Sequence, residues 1–215
     1  MTDKTTTDYS LYLCTDRNCI QDRDFYQIVE QAVQGGCTLV QLREKNFSTR
    51  EFIQAAEGIK AITDKYNIPL IINDRVDICL AVDAAGVHLG QEDMPVSDAR
   101  RLLGSEKIIG CSAHNINEAL LAEQEGADYL GVGAIFTTAT KKDTVATSIQ
   151  TLGEICEKVK IPVVAIGGVK EENVKELTGT NISGIAVVSA IMAAKEPKKA
   201  AQHLQTMVKD MVKCY

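Results

Sequence analysis

The sequence predicts a single (β/α)8 TIM barrel, and three observations carry that prediction. Eight short β-rich runs recur at even intervals along the 215 residues, from "SLYLCT" at Ser10 to "GIAVVSA" at Gly184. Between them lie stretches with apolar residues at three- and four-residue spacing, such as "FYQIVEQAVQ" and "TREFIQAAEGIKAITDKY", the pattern of amphipathic helices. The turn after the first strand is "CTDRNC", not the glycine-rich turn that an open, doubly wound nucleotide-binding sheet would carry there. In a barrel of this kind the chemistry gathers in the loops at the carboxyl ends of the strands, with a phosphate often held after the seventh and eighth.

Composition narrows the function. With 45% apolar and 24% charged residues and no low-complexity or linker-like tract, one folded domain over residues 1–215 is expected, residues 1–8 forming a flexible N-terminal extension. The opening "MTDKTTTDYS" lacks an apolar signal core and no run approaches the roughly 20 apolar residues of a membrane span, so a cytoplasmic protein is expected. The 23 Lys and Arg against 29 Asp and Glu, net −6, argue against a nucleic-acid surface, so any anionic ligand must be held by locally placed cations. The seven cysteines are odd in number and sit mostly in apolar runs, as reduced core thiols do. Cys14 and Cys19 could supply half a zinc site, but no second pair completes it. The sequence leaves room for a homo-oligomer without setting the number of copies.

Taken in order, the strand ends present a converging polar set. The second strand, "TLVQLREK", places Gln41, Arg43 and Lys45 on one face, since residues two apart in a strand point the same way, and Val40 and Leu42 on the other. Read alone, such cations pair with nearby acids such as Glu44. At the end of an internal strand where other polar groups converge, they are candidates for an anion. The third strand ends "IIND", with Asn73 and Asp74 at the rim; Asp74 could cap the helix that follows, or bind a cation. The fourth run leads into "HLGQED", placing Asp93 across a small gap from Asp74, so the two carboxylates can share Mg²⁺ with phosphate oxygens. His88, inside that strand, reads as a hydrogen-bonded core residue rather than a ligand. The fifth strand offers Ser112, with His114 and Asn115 starting the next helix. After the sixth, "FTTATKKD" supplies hydroxyls and lysines for an anion. The seventh ends at Gly167 and Gly168, where backbone N–H groups can approach a ligand, and the eighth at Val188 and Ser189.

These motifs, in register over nearly the whole chain ("QLREK", "INDR", "GVHLGQED", "GCSAH", "GVGAIFTTATKKD", "VAIGGV", "VVSAI"), resemble the thiamine-phosphate synthase family. The resemblance implies a Mg²⁺-dependent transferase that joins an aminopyrimidine bearing a methylene diphosphate to a thiazole phosphate, releasing diphosphate. It implies that Gln41, Leu42, Arg43, Glu44 and Lys45, with Asn73, Ser112 and Lys141, contact the pyrimidine diphosphate. It also implies that Thr138, Ala139 and Thr140, with Gly168, Val188 and Ser189, hold the thiazole phosphate, and that Asp74 and Asp93 hold Mg²⁺. Arg43, Lys45 and Lys141 are the implied stabilisers of the leaving group. The family usually carries proline where Thr137 stands, which loosens that loop here. A thiazole tautomerase on the same scaffold is the alternative, but it needs no diphosphate pocket. "QLREK", Asp74, Asp93 and Lys141 together favour the synthase.

Overall fold

In the computed structural model, residues 4–137 and 146–212 are described. Eight parallel strands close into a barrel in chain order: β1 Leu11–Cys14, β2 Leu39–Leu42, β3 Leu70–Asn73, β4 Gly86–Leu89, β5 Ile108–Ala113, β6 Tyr129–Val132, β7 Val163–Ile166 and β8 Gly184–Val187. β1 closes the ring, pairing Tyr12 with Leu39 on one side and with Ala186 on the other. The helices are α1 Phe25–Gln34, α2 Thr49–Lys65, α3 Val76–Ala81, α4 Val96–Leu103, α5 Ile116–Gln124, α6 Ile149–Lys158, α7 Ser189–Met192 and α8 Pro197–Lys209. None of the described helices is long and apolar enough to cross a membrane.

The chain writes its own helix starts. Asp24, Ser48, Asn115 and Ser148 each cap the helix behind them by accepting a backbone N–H, and Ser48 with Glu51 forms a reciprocal capping box. Each such cap is worth about 1 kcal/mol. Asp16 does the same for a 3-10 turn at Arg17–Cys19, which is the structure behind "CTDRNC". The seventh repeat has only a 3-10 turn, Val174–Leu177, where a helix was expected. Asn173 accounts for part of this: its side chain accepts from Lys170 N and donates to the Gly168 carbonyl, tying the segment into a loop.

Strand alternation sorts the core in two. Leu11, Leu13, Val40, Leu42 and Ile72 face outward into the layer between strands and helices, which holds most of the buried apolar surface. Tyr12, Cys14, Leu39, Ile71, Ile108, Tyr129, Val164 and Ala186 fill the barrel itself. Two glycines make the tyrosine-rich interior possible. A Cβ on Gly110 would lie 2.1 Å from the Tyr129 ring, and one on Gly131 would lie 3.0 Å from the His88 ring. Among the described residues no disulfide is formed, and Cys14, Cys37, Cys79, Cys111 and Cys156 are buried.

The amino-terminal ends of the strands are closed by charge pairs. Asp128, just before β6, receives Arg100 at 2.5 Å, Lys4 at 2.9 Å and the Ile109 N–H at 2.8 Å. Lys4 belongs to a 3-10 turn, Lys4–Thr6, in the segment anticipated as an N-terminal extension.

Candidate active site

The carboxyl ends of the strands surround a cavity of about 160 Å³. Of the residues singled out from the sequence, Gln41, Arg43, Asn73, Ser112, Gly168, Val188 and Ser189 line it. Thr138, Ala139, Thr140 and Lys141 lie outside the described residues.

β2 delivers its polar face as the alternation requires. Gln41 is buried inside the barrel, with Nε2 donating to the Tyr12 hydroxyl at 2.7 Å. Arg43 follows at the rim, its backbone N–H held by Thr15 Oγ1 at 3.1 Å. Arg43 lines the cavity, and no carboxylate pairs with it among the described residues. Glu44, the acid expected to neutralise these cations, turns instead to Arg17, with Nε–Oε1 at 2.6 Å, while the Arg17 guanidinium stacks 3.7 Å from the Phe25 ring centroid. Burial raises the Glu44 carboxyl above its ordinary value, and the Arg17 hydrogen bond opposes the shift. The Leu42 side chain is fully buried in the outer core, which leaves only its backbone for a ligand.

Lys45 and the two candidate metal carboxylates form one cluster on the rim. The Lys45 ammonium sits 2.5 Å from Asp74 Oδ2. Asp74 follows β3 in the left-handed region, at φ 61°, with its N–H bonded to the His88 carbonyl at 2.8 Å. A non-glycine residue there is held at a cost of roughly 1 kcal/mol, which is least for Asp and Asn. The capping alternative for Asp74 fails, because the position before α3 is Arg75 and no side chain caps that helix. Asp93 accepts the Gly90 N–H at 2.7 Å. Its carboxyl is raised, chiefly by burial, then by a hydrogen bond with Asp74. Two carboxylates in contact, one of them already drawing an ammonium, are a site short of positive charge. Among the described residues no third His, Cys, Asp or Glu joins them. The pair therefore suits Mg²⁺, which takes one or two carboxylates and fills its remaining positions with water and phosphate oxygens, rather than a metal needing a full protein cage.

Opposite lie the loops after β6, β7 and β8. Gly167 and Gly168 adopt φ 96° and 66° and pack against the preceding loop so tightly that a Cβ on Gly168 would lie 2.6 Å from the Thr137 carbonyl oxygen. Phe136 N–H bonds to the Gly167 carbonyl at 3.0 Å. Val188 then precedes α7, whose first residue is Ser189.

Comparison with known proteins now decides the family. The family described as "Thiamine monophosphate synthase" matches residues 11–191. The chain belongs to the thiamine monophosphate synthase family. It is 57% identical over 197 residues to the thiamine-phosphate synthase of Clostridium tetani, spanning 92% of this chain and 94% of that one. It is 54% identical over 202 residues to the thiamine-phosphate synthase of Enterococcus faecalis, spanning 94% and 95%. A solved thiamine phosphate pyrophosphorylase from Pyrococcus furiosus superposes with a TM-score of 0.87 at 40% identity, covering 95% of this chain and 98% of the other. The activity of this synthase family, formation of thiamine phosphate, is that of a transferase.

Tyr12, His88 and Tyr129 were not among the expected site residues. All line the cavity. His88 is hydrogen-bonded through both ring nitrogens, as a core residue should be, yet one partner is Ser112. The signal available was the alternation in "YLGVG", which sends Tyr129, Gly131 and Gly133 to the same interior face.

Proposed function

We propose that the chain condenses a 4-amino-2-methyl-5-(diphosphooxymethyl)pyrimidine with a thiazole phosphate, giving thiamine phosphate and diphosphate. The observation that carries this reading is the rim itself. Arg43, with no carboxylate partner among the described residues, and the Lys45–Asp74–Asp93 cluster stand on one side of a cavity also lined by Gly168, Val188 and Ser189.

Asp74 and Asp93 are the residues that would hold Mg²⁺, which when bound supplies positive charge to the diphosphate. Gln41, Asn73 and Ser112 bind and orient the pyrimidine diphosphate. Gly168, Val188 and Ser189, with Thr138, Ala139 and Thr140, hold the thiazole phosphate. The C–O bond to diphosphate breaks with its electron pair leaving on the diphosphate oxygen. The thiazole nitrogen then donates its lone pair to the pyrimidinylmethyl cation, forming the new C–N bond. Negative charge grows on the departing diphosphate, so Arg43, Lys45 and Lys141 act by electrostatic stabilisation and no nucleophilic side chain is needed. Arg43 offers two parallel donors to phosphate oxygens, a geometry that lysine lacks. The buried thiols, none in a disulfide among the described residues, support a reducing, cytoplasmic setting.

The test is to mix purified protein with both substrates and Mg²⁺ and to look for thiamine phosphate, in the parent and in Asp74→Asn and Asp93→Asn. Product from the parent and about 10²-fold lower turnover in each variant at limiting Mg²⁺ are expected, since lost charge stabilisation of this kind is worth several kcal/mol. No product from folded, Mg²⁺-supplied parent would overturn the reading. Near-normal turnover in either variant would remove that carboxylate from the metal site.

A further inference from the structure

Inside the barrel, five side chains from five different strands form one unbroken hydrogen-bonded line. Gln41 Nε2 donates to Tyr12 Oη at 2.7 Å, Tyr12 Oη meets Tyr129 Oη at 2.8 Å, Tyr129 Oη meets His88 Nδ1 at 2.9 Å, and His88 Nε2 meets Ser112 Oγ at 3.0 Å. Each tyrosine hydroxyl has one hydrogen to give. Tyr12 and Tyr129 are 2% and 0% exposed, so neither can leave its hydrogen without an acceptor except at the cost of a buried unmet donor.

With Gln41 presenting Nε2 to Tyr12, the direction of every other bond in the line follows. The amide nitrogen of Gln41 cannot accept, so Tyr12 gives its hydrogen to Tyr129. Tyr129 must then give its own to His88 Nδ1. A neutral imidazole with a bare Nδ1 carries its hydrogen on Nε2 and donates it to Ser112 Oγ. Ser112 accepts from the line and keeps its own hydroxyl hydrogen for the cavity, while Gln41 keeps its carbonyl oxygen. Burial also raises both phenols well above their ordinary value, which keeps them protonated donors.

We propose that this line is a polarity-setting device for the pyrimidine substrate: Tyr12, Tyr129 and His88 hold Gln41 as an acceptor, suited to an exocyclic amino group, and Ser112 as a donor, suited to an acceptor atom of the same molecule. Tyr129 and His88 are thereby positioning residues and determinants of specificity. The proposal rests on the synthase reading for the identity of the ligand, but the proton order is a property of the free protein. Gly110 and Gly131 show that the line is built in, since each leaves the space that the Tyr129 and His88 rings occupy.

Two measurements test it. In ligand-free protein labelled with ¹⁵N-histidine, His88, assigned by loss of its signals in His88→Gln, should show a protonated Nε2 and a bare Nδ1. A protonated Nδ1 would overturn the proposal whatever the enzyme turns over. In the assay, the unreactive aminopyrimidine monophosphate should inhibit the parent at least about tenfold more tightly than its 4-oxo counterpart, because two acceptors would then meet at Gln41. Tyr129→Phe cuts the line and frees Gln41 to turn, so the ratio should fall towards one while the thiazole-phosphate KM stays put. A merely structural role would lower the melting temperature and leave the ratio intact, and that result would also overturn the proposal. Should Tyr129→Phe not fold, Tyr12→Phe cuts the same line one bond earlier.

Discussion

Arg100 and Arg43 stand at opposite ends of the same barrel and are treated in opposite ways. Arg100, below β5 and β6, has every nitrogen engaged: it donates to the carbonyls of Gly104, Lys107 and Gly126 and to the Asp128 carboxylate. Arg43, above β2, has only its backbone N–H secured and finds no carboxylate among the described residues. A guanidinium satisfied by its own chain serves as scaffold, and one left to face a cavity is held for something that arrives later. The acids repeat the lesson. Asp128 collects two cations and a backbone N–H, whereas Asp74 and Asp93 press against each other with one half-exposed ammonium, that of Lys45, paired to Asp74 among the described residues.

The comparison breaks most visibly at the closed end. Arg100→Ala leaves Asp128 short of a partner and three carbonyls unbonded, and should cost about 3 kcal/mol of stability, the usual order for breaking a partly buried pair. Chemical denaturation of the variant should show that loss, while binding of Mg²⁺ and inorganic diphosphate, followed by calorimetry, stays close to the parent. Weakened diphosphate binding in a stable Arg100→Ala would mean that the two ends are not separate in function.

At the open end the expected effect is smaller and of the other kind. Arg43→Lys keeps the charge but loses the planar pair of donors, so Mg²⁺-diphosphate should bind roughly tenfold more weakly, about 1.4 kcal/mol, with the unliganded melting temperature nearly unchanged. A large fall in melting temperature with affinity intact would return Arg43 to the scaffold beside Arg100.

The smallest effect concerns pH. Because the Asp93 carboxyl is raised in the folded protein, by burial first and by Asp74 second, the folded state holds that proton more tightly than the unfolded chain does. Its contribution to stability is therefore full below the ordinary carboxylate value and is lost as pH rises through the raised value. In metal-free protein, the stability of Asp93→Asn should lack this decline just above the ordinary carboxylate range. A parent and variant with parallel profiles there would show that Asp74 does not crowd Asp93.

Legibility in the sequence followed the same division. The strands, their order and most helices could be read because period is local: "IIND" ends a short β-rich run, and "TREFIQAAEGIKAITDKY" carries the apolar spacing of a helix. The rim could be read because strand alternation carries Gln41, Arg43 and Lys45 to one side. What stayed hidden depended on partners far away in the chain. Nothing near Glu44 reveals that Arg17 will claim it, 27 residues away, and nothing near Asp74 reveals the left-handed turn that denies it to α3. The Tyr12–Tyr129 contact spans 117 residues, and each tyrosine by itself reads as ordinary barrel filling.

The glycine opposite Tyr129 also constrains how such a sequence can change. Gly110 is the neighbour of Tyr129 in the β5–β6 register, and a single methyl at that position would lie inside the phenol ring. Gly110→Ala alone should therefore be disabling, whereas the same change alongside a smaller residue at 129 should be tolerated by the barrel. Across a lineage the two positions form one heritable unit. A drift that enlarges the first must pass through loss of the second, and with it the line of hydroxyls that joins one wall of the barrel to the other.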